Sequence, residues 1–214
     1  MKTADWIKLG AAALIVAAGV LGAAAPASAK TIIDEWASVK APPAPTLKSV
    51  TVDPKTTALL VLDLVKKTCN EKVRPRCFAS LPKIKAFLAQ ARAHKMLVIY
   101  SLYGGTTADI DPSVAPLGSE PVVTSHANKF IHTDLEKTLR TKNIKTIIPV
   151  GTVADGAVLF TASQAALLGF KVIVPVDGSS AISTYAEQAT AWILATAPTV
   201  GQNVTLTRFD LIGW

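Results

Sequence analysis

The chain has 214 residues, half of them apolar, and a formal net charge of +7. That is enough chain for one domain with a sizeable core. The basic residues are scattered, and no aromatics interleave with them in a stacking pattern, so they read as a solvated, slightly basic face and no nucleic-acid partner is expected.

Residues 1–29 read as a secretory signal. Lys2 and Lys8 lead into an apolar run from Leu9 to Ala25, and Ala27-Ser28-Ala29 supplies the small residues of a cleavage site. A single-pass anchor is the alternative, because the run is about as long as a short span requires. Its Ala- and Gly-rich composition and its cleavage-type end favour removal. Cleavage after Ala29 predicts a periplasmic or secreted protein that meets the membrane only through this segment. Losing Lys2, Lys8 and Asp5 with it lowers the net charge from +7 to +6.

The two cysteines suit that compartment. Cys69 and Cys77 enclose seven residues, N-E-K-V-R-P-R, in a segment that reads as a loop. A disulfide is expected there, stabilising by roughly 2–3 kcal/mol in the chain-entropy model. Two thiols without a nearby histidine are too few for zinc.

Residues 30–56 carry little periodicity, and Ala41-Pro42-Pro43-Ala44-Pro45 forbids regular structure. They predict an extended arm ahead of a domain over residues 57–214. Thr57 to Leu62 is a continuous apolar run, as in a strand buried on both faces, and Asp63 ends it. An acid there lies where open α/β sheets bind ligands. Ser80 is placed to cap a helix with Pro82 in its first turn, and Leu81, Ile84, Leu88 and Ala91 share one face. Met96 to Leu102 is the second strand. The loop from Gly104 to Gly118 is long enough to wall a site.

Pro121 to Val123 predicts a short strand, and Thr133-Asp134 opens a helix to about Lys142. A strand over 145–150 ends at Gly151. A helix over 156–168 stops at Gly169. Strand 171–176, helix 186–197 and strand 204–207 complete the alternation. It predicts an α/β fold: a three-layer α-β-α sandwich around one mainly parallel sheet.

Two segments resemble a known family. One is T-A-L-L-V-L-D, ending at Asp63. The other runs from Lys129 to Ser180 and includes I-I-P-V-G-T-V-A-D-G-A-V and A-A-L-L-G-F-K-V-I-V-P-V-D. Together they are similar to the isochorismatase-like (cysteine hydrolase) family, which includes nicotinamidases and other amidases. The resemblance implies the three-layer, Rossmann-like fold and a small-molecule hydrolase. It also implies a homo-oligomer and three catalytic positions: an aspartate, a lysine and a cysteine.

The aspartate falls on Asp63, and the nucleophile position falls on Ala157, which has no lone pair to attack with. Covalent thiol catalysis is therefore not expected. For the lysine, a match anchored on Phe130 and Thr133-Asp134-Leu135 lands on Thr124, whereas Lys129 is the only lysine nearby; Lys129 is taken as the site lysine. Thr124, His126, Val153 and Ala154 are expected around the pocket, with a cis peptide at Val153-Ala154. A buried Asp63 would serve as a general acid, a pattern shared with true isochorismatases, which cleave a vinyl ether without the thiol. A binding or structural member without turnover is the alternative. Nicotinamidases hold a metal through histidines after the first strand, a region that here reads L-V-K-K-T-C-N-E-K. No metal and no cofactor is expected; Asp109 and Asp111 alone are a poor calcium site.

Overall fold

The structure, a computed structural model, describes residues 29–214. The expected signal segment, residues 1–29, lies outside the described residues except for Ala29. Among those described, no helix is long and apolar enough to cross a membrane. Two compact units divide the chain at residues 41 and 42. In the described part of the first, a short helix α1 (Ile32–Glu35) opens on Thr31, whose backbone N–H donates to Asp34 Oδ2 at 2.8 Å. A 3-10 turn over Trp36–Ser38 follows. The arm is thus partly helical rather than extended, because Thr31 and Asp34 form a reciprocal capping box.

The second unit carries the sheet. Its strands are β1 (Val50–Thr51), β2 (Thr57–Leu62), β3 (Leu97–Leu102), β4 (Val122–Thr124), β5 (Thr146–Thr152), β6 (Lys171–Pro175), β7 (Ser179–Ser180), β8 (Val204–Thr207) and β9 (Ile212–Gly213). Six of them form the order β4-β3-β2-β5-β6-β8, every pair parallel, with β7 extending the pairing of β5. β1 and β9 make a separate parallel pair that closes the two ends of the unit together. The arm therefore enters the domain before residue 57. Lys48 N–H also donates to the Leu206 carbonyl at 3.0 Å.

Side chains of β2 alternate between the two faces. Leu59 and Val61 join Leu81, Ile84 and Leu88 of α2 (Pro75–Ala93) on one side. Ala58, Leu60 and Leu62 join the other helices: α3 (Leu135–Thr141), α4 (Leu159–Leu167) and α5 (Thr184–Thr196). This is the three-layer sandwich. Every residue of β2 is buried, and each large apolar side chain so buried stabilises the fold by about 1.5–3 kcal/mol.

Helix α2 begins at Pro75, five residues before the expected cap at Ser80. Pro75 fits N1, where no N–H is needed, and Ser80 Oγ instead donates to the Cys77 carbonyl at 2.7 Å. Before α4 the chain makes one wide π turn, Ala154–Val158, with Val158 N–H reaching the Val153 carbonyl. Ser183 caps α5, accepting from Ala186 N–H at 3.2 Å, so that helix starts at Thr184.

Candidate active site

The sheet places its strand ends on one rim. β2 ends at Leu62, and Asp63 follows in the left-handed region with φ of 54°. Aspartate tolerates this conformation better than most residues. β5 runs beside it with Leu62 and Gly151 in register. Gly151 has φ of 126°, and a Cβ there would collide with the Leu62 carbonyl. Glycine thus lets the two strands come close at the point where both supply site residues.

Lys129 lies between β4 and α3. Its backbone N–H donates to Thr161 Oγ1 at 3.2 Å, and its carbonyl accepts from Thr133 Oγ1 at 2.6 Å. These bonds turn the side chain inward. Its Nζ stands 2.7 Å from Asp63 Oδ2 and donates to the Ser125 carbonyl at 2.9 Å. The Lys129 side chain is fully buried, whereas Asp63 keeps 13% of its side-chain surface exposed. Ser101 Oγ on β3 donates to the other carboxylate oxygen at 2.8 Å.

Burial pushes the Asp63 carboxyl above its ordinary range; Lys129, then Ser101 and Arg74, pull it part of the way back. Burial also pushes the Lys129 ammonium down, with Asp63 opposing. Desolvation disfavours both charges, and each charge supports the other. The two groups therefore titrate as a pair rather than independently.

Asp63 opens on a cavity of about 680 Å³, a size suited to a small molecule. Val153, Gly156 and Ala157 form one wall, Tyr103 and Gly104 another, and Lys67, Thr68 and Arg74 a third. The Gly104–Gly118 loop is held against the segment after β2 by Lys66 N–H to the Asp109 carbonyl (2.9 Å) and Asp111 N–H to the Leu64 carbonyl (2.8 Å). At its far end Arg92 forks onto Glu120 at 3.0 and 2.8 Å and holds the Tyr100 hydroxyl at 2.9 Å.

A family model for the isochorismatase domain matches residues 57–207. The chain belongs to the isochorismatase family. Its fold is shared with an isochorismatase family protein from Desulfovibrio vulgaris, at 18% identity and a TM-score of 0.66, covering 72% of this chain and 95% of that one. It is likewise similar to a cysteine hydrolase from Pseudomonas syringae pv. phaseolicola, at 21% identity and 0.64, over 78% and 94%. An N-carbamoylsarcosine amidase from Thermoplasma acidophilum matches at 20% and 0.61, over 72% and 97%.

In this isochorismatase-family chain the sequence-derived residues fall in four places. Asp63, Val153 and Ala157 line the cavity, and Lys129 lies behind Asp63. Ala154 is buried beneath the wall. Thr124 and His126 line an adjoining depression, with the Tyr103 ring 5.0 Å from the imidazole between the two hollows. The non-proline cis peptide is Thr152-Val153, one bond earlier than expected. Cys69 and Cys77 are joined by a disulfide, with Cα atoms 5.2 Å apart. Among the described residues no cluster of three His, Cys, Asp or Glu side chains is arranged to hold a metal.

Sequence reasoning missed Ser101 and Arg74. A serine inside the apolar run L-V-I-Y-S-L was a readable signal for the first. The second carried no signal beyond its place in the loop after β2.

Proposed function

We propose that this protein is an exported hydrolase of a small molecule that works without a covalent intermediate, using Asp63 as its acid–base group. The observation that carries the reading is the Asp63–Lys129 pair at the edge of an open cavity whose wall presents Ala157 instead of a nucleophile. Burial raises the Asp63 carboxyl above its ordinary range, which suits it to passing a proton to and from a bound molecule. On a vinyl ether, protonated Asp63 delivers its proton to the alkene carbon. Water then adds to the resulting cation and loses a proton back to the carboxylate, and the hemiketal separates into ketone and alcohol. On an amide, ionised Asp63 takes a proton from the attacking water and returns it to the leaving nitrogen. In both, Lys129 orients the carboxylate and stabilises its charged form.

The alternative, a binding member without turnover, draws support from the missing nucleophile at Ala157. The deciding experiment screens mature protein against amides, ureas, esters and vinyl ethers, with Asp63→Asn alongside. Turnover abolished by Asp63→Asn supports the hydrolase. Turnover unaffected by that change refutes acid–base chemistry at Asp63, and no turnover with ligand-induced thermal stabilisation assigns a binder. Export, which the disulfide favours, predicts a periplasmic or culture-medium protein whose first residue is Lys30, read by mass spectrometry. A homo-oligomer is proposed from the family resemblance, for light scattering to test.

A further inference from the structure

The cavity's charges are unevenly matched. Asp63 is engaged by Lys129 and Ser101. Asp109 Oδ2 is taken up by the Thr106 backbone N–H and hydroxyl, at 2.8 and 3.2 Å. Arg74 and Lys67, on the third wall, have no carboxylate within salt-bridge distance among the described residues. Among the described residues Arg74 makes one side-chain bond, a long one of 3.5 Å to Thr152 Oγ1, whose own proton goes to the Ser180 carbonyl. A half-buried guanidinium has therefore kept most of its donors free beside the reacting carboxyl.

Its position is nonetheless fixed. Arg74 N–H donates to the Asn70 carbonyl at 2.9 Å, and Pro75 starts α2 immediately after it. Asn70 Oδ1 accepts from Lys72 and Val73 N–H, both at 3.0 Å, and Asn70 Nδ2 donates to the Lys66 and Lys67 carbonyls at 2.9 and 3.0 Å. The Cys69–Cys77 disulfide closes this ring around Arg74. A tightly bonded loop that leads a guanidinium into a cavity is preorganised for a planar oxyanion, which arginine binds through two parallel N–H donors.

We propose that the small molecule taken by this cavity carries a carboxylate, bound by Arg74 with Lys67 adding positive potential, while its reacting group meets Asp63. This refines the substrate class of the hydrolase reading and rests on that reading for the reaction, though not for the binding.

The test is calorimetric titration of the mature, disulfide-bonded protein with malonamate and with malonamide, its neutral counterpart of similar size. Malonamate is expected to bind about tenfold more tightly or better, a gap of about 1.4 kcal/mol. The gap narrows as salt rises from about 50 to 300 mM. In Arg74→Gln the two probes bind within about twofold of each other, and Arg74→Lys keeps part of the preference because it keeps the charge. Equal affinity in the wild type, or no malonamate binding at ~5 mM, overturns the proposal; so does a preference that survives in folded Arg74→Gln. If that variant does not fold, the wild-type gap and its salt dependence decide alone. Preference for malonamate without turnover of any screened class upholds the carboxylate site and refutes the hydrolase. Turnover of neutral substrates with no such preference does the reverse.

Discussion

Replacing Lys129 with methionine keeps an apolar stem of similar length and removes only the ammonium. In the folded protein this leaves Asp63, among the described residues, with Ser101 as its one side-chain hydrogen-bond partner. At 2.7 Å and an effective dielectric of about 20, the lost attraction is about 6 kcal/mol gross. Desolvating the two charges offsets much of it, and removing one partner of a buried pair destabilises by about 3–5 kcal/mol. Lys129→Met is therefore expected to lower the unfolding free energy by about 3 kcal/mol at pH 7, read from urea unfolding with the disulfide intact. The pH dependence has a definite sign. Without the ammonium the Asp63 carboxyl rises further above its unfolded value, near 3.8. A raised carboxyl contributes stability that is fully present below the unfolded pKa and lost as pH rises through the folded one. The variant's deficit should thus shrink toward pH 4 and grow toward neutrality. Asp63→Asn combined with Lys129→Met removes both charges and is expected to recover about half the loss or more. A Lys129→Met deficit under about 1 kcal/mol, flat between pH 4 and 7, would refute the view of this pair as a buried, coupled unit.

Three further outcomes follow from the geometry. Ala157→Cys introduces the sole free thiol, beside Asp63 and Arg74 at the start of the α4 segment; its alkylation rate should titrate below the ordinary thiol pKa of about 8.5, and a midpoint at or above that value would show that the frame no longer supports a thiolate. Tyr100, whose hydroxyl donates to the Val114 carbonyl at 2.8 Å, is pushed well up by burial. Its contribution is complete below pH 10 and lost above it, so Tyr100→Phe should flatten the alkaline fall in urea midpoint between pH 9 and 11. The double change Cys69→Ser with Cys77→Ser should lower stability by ~2.5 kcal/mol and also weaken malonamate binding; unchanged affinity would show that the ring does not hold Arg74 in place.

How much of this was readable in the sequence depended on the range of the forces involved. The β2 run and the acid that ends it were legible because a strand buried on both faces must be continuously apolar, and Asp63 breaks that pattern. Gly151, Gly169 and the alternating segments located β3 to β6, β8 and α3 to α5 to within a few residues, whereas β7 and α1 were not expected. The start of α2 was misplaced because Ser80 has the chemistry of a cap, yet Pro75 and the Cys69–Cys77 bridge begin the helix earlier. The pairing of β1 with β9 joins the two ends of the domain, and neither two-residue strand carries a pattern of its own. Lys129 and Thr124 could not be separated from spacing. Lys129 is turned inward by Thr161 and Thr133, and that choice is made by tertiary hydrogen bonds rather than local propensity.

The cavity draws each wall from a different connection: after β2, after β3, and between β5 and α4, with Lys129 reaching in from the segment after β4. No single stretch of chain contains even half of it. A partly folded chain therefore has no partial version of the pocket to offer, and ligand occupancy reports on completion of the whole sheet. Occupancy should then slow hydrogen exchange at Leu60 and Ile148, in the central strands, as much as at the rim. Protection confined to the rim would mark the walls as separately opening pieces.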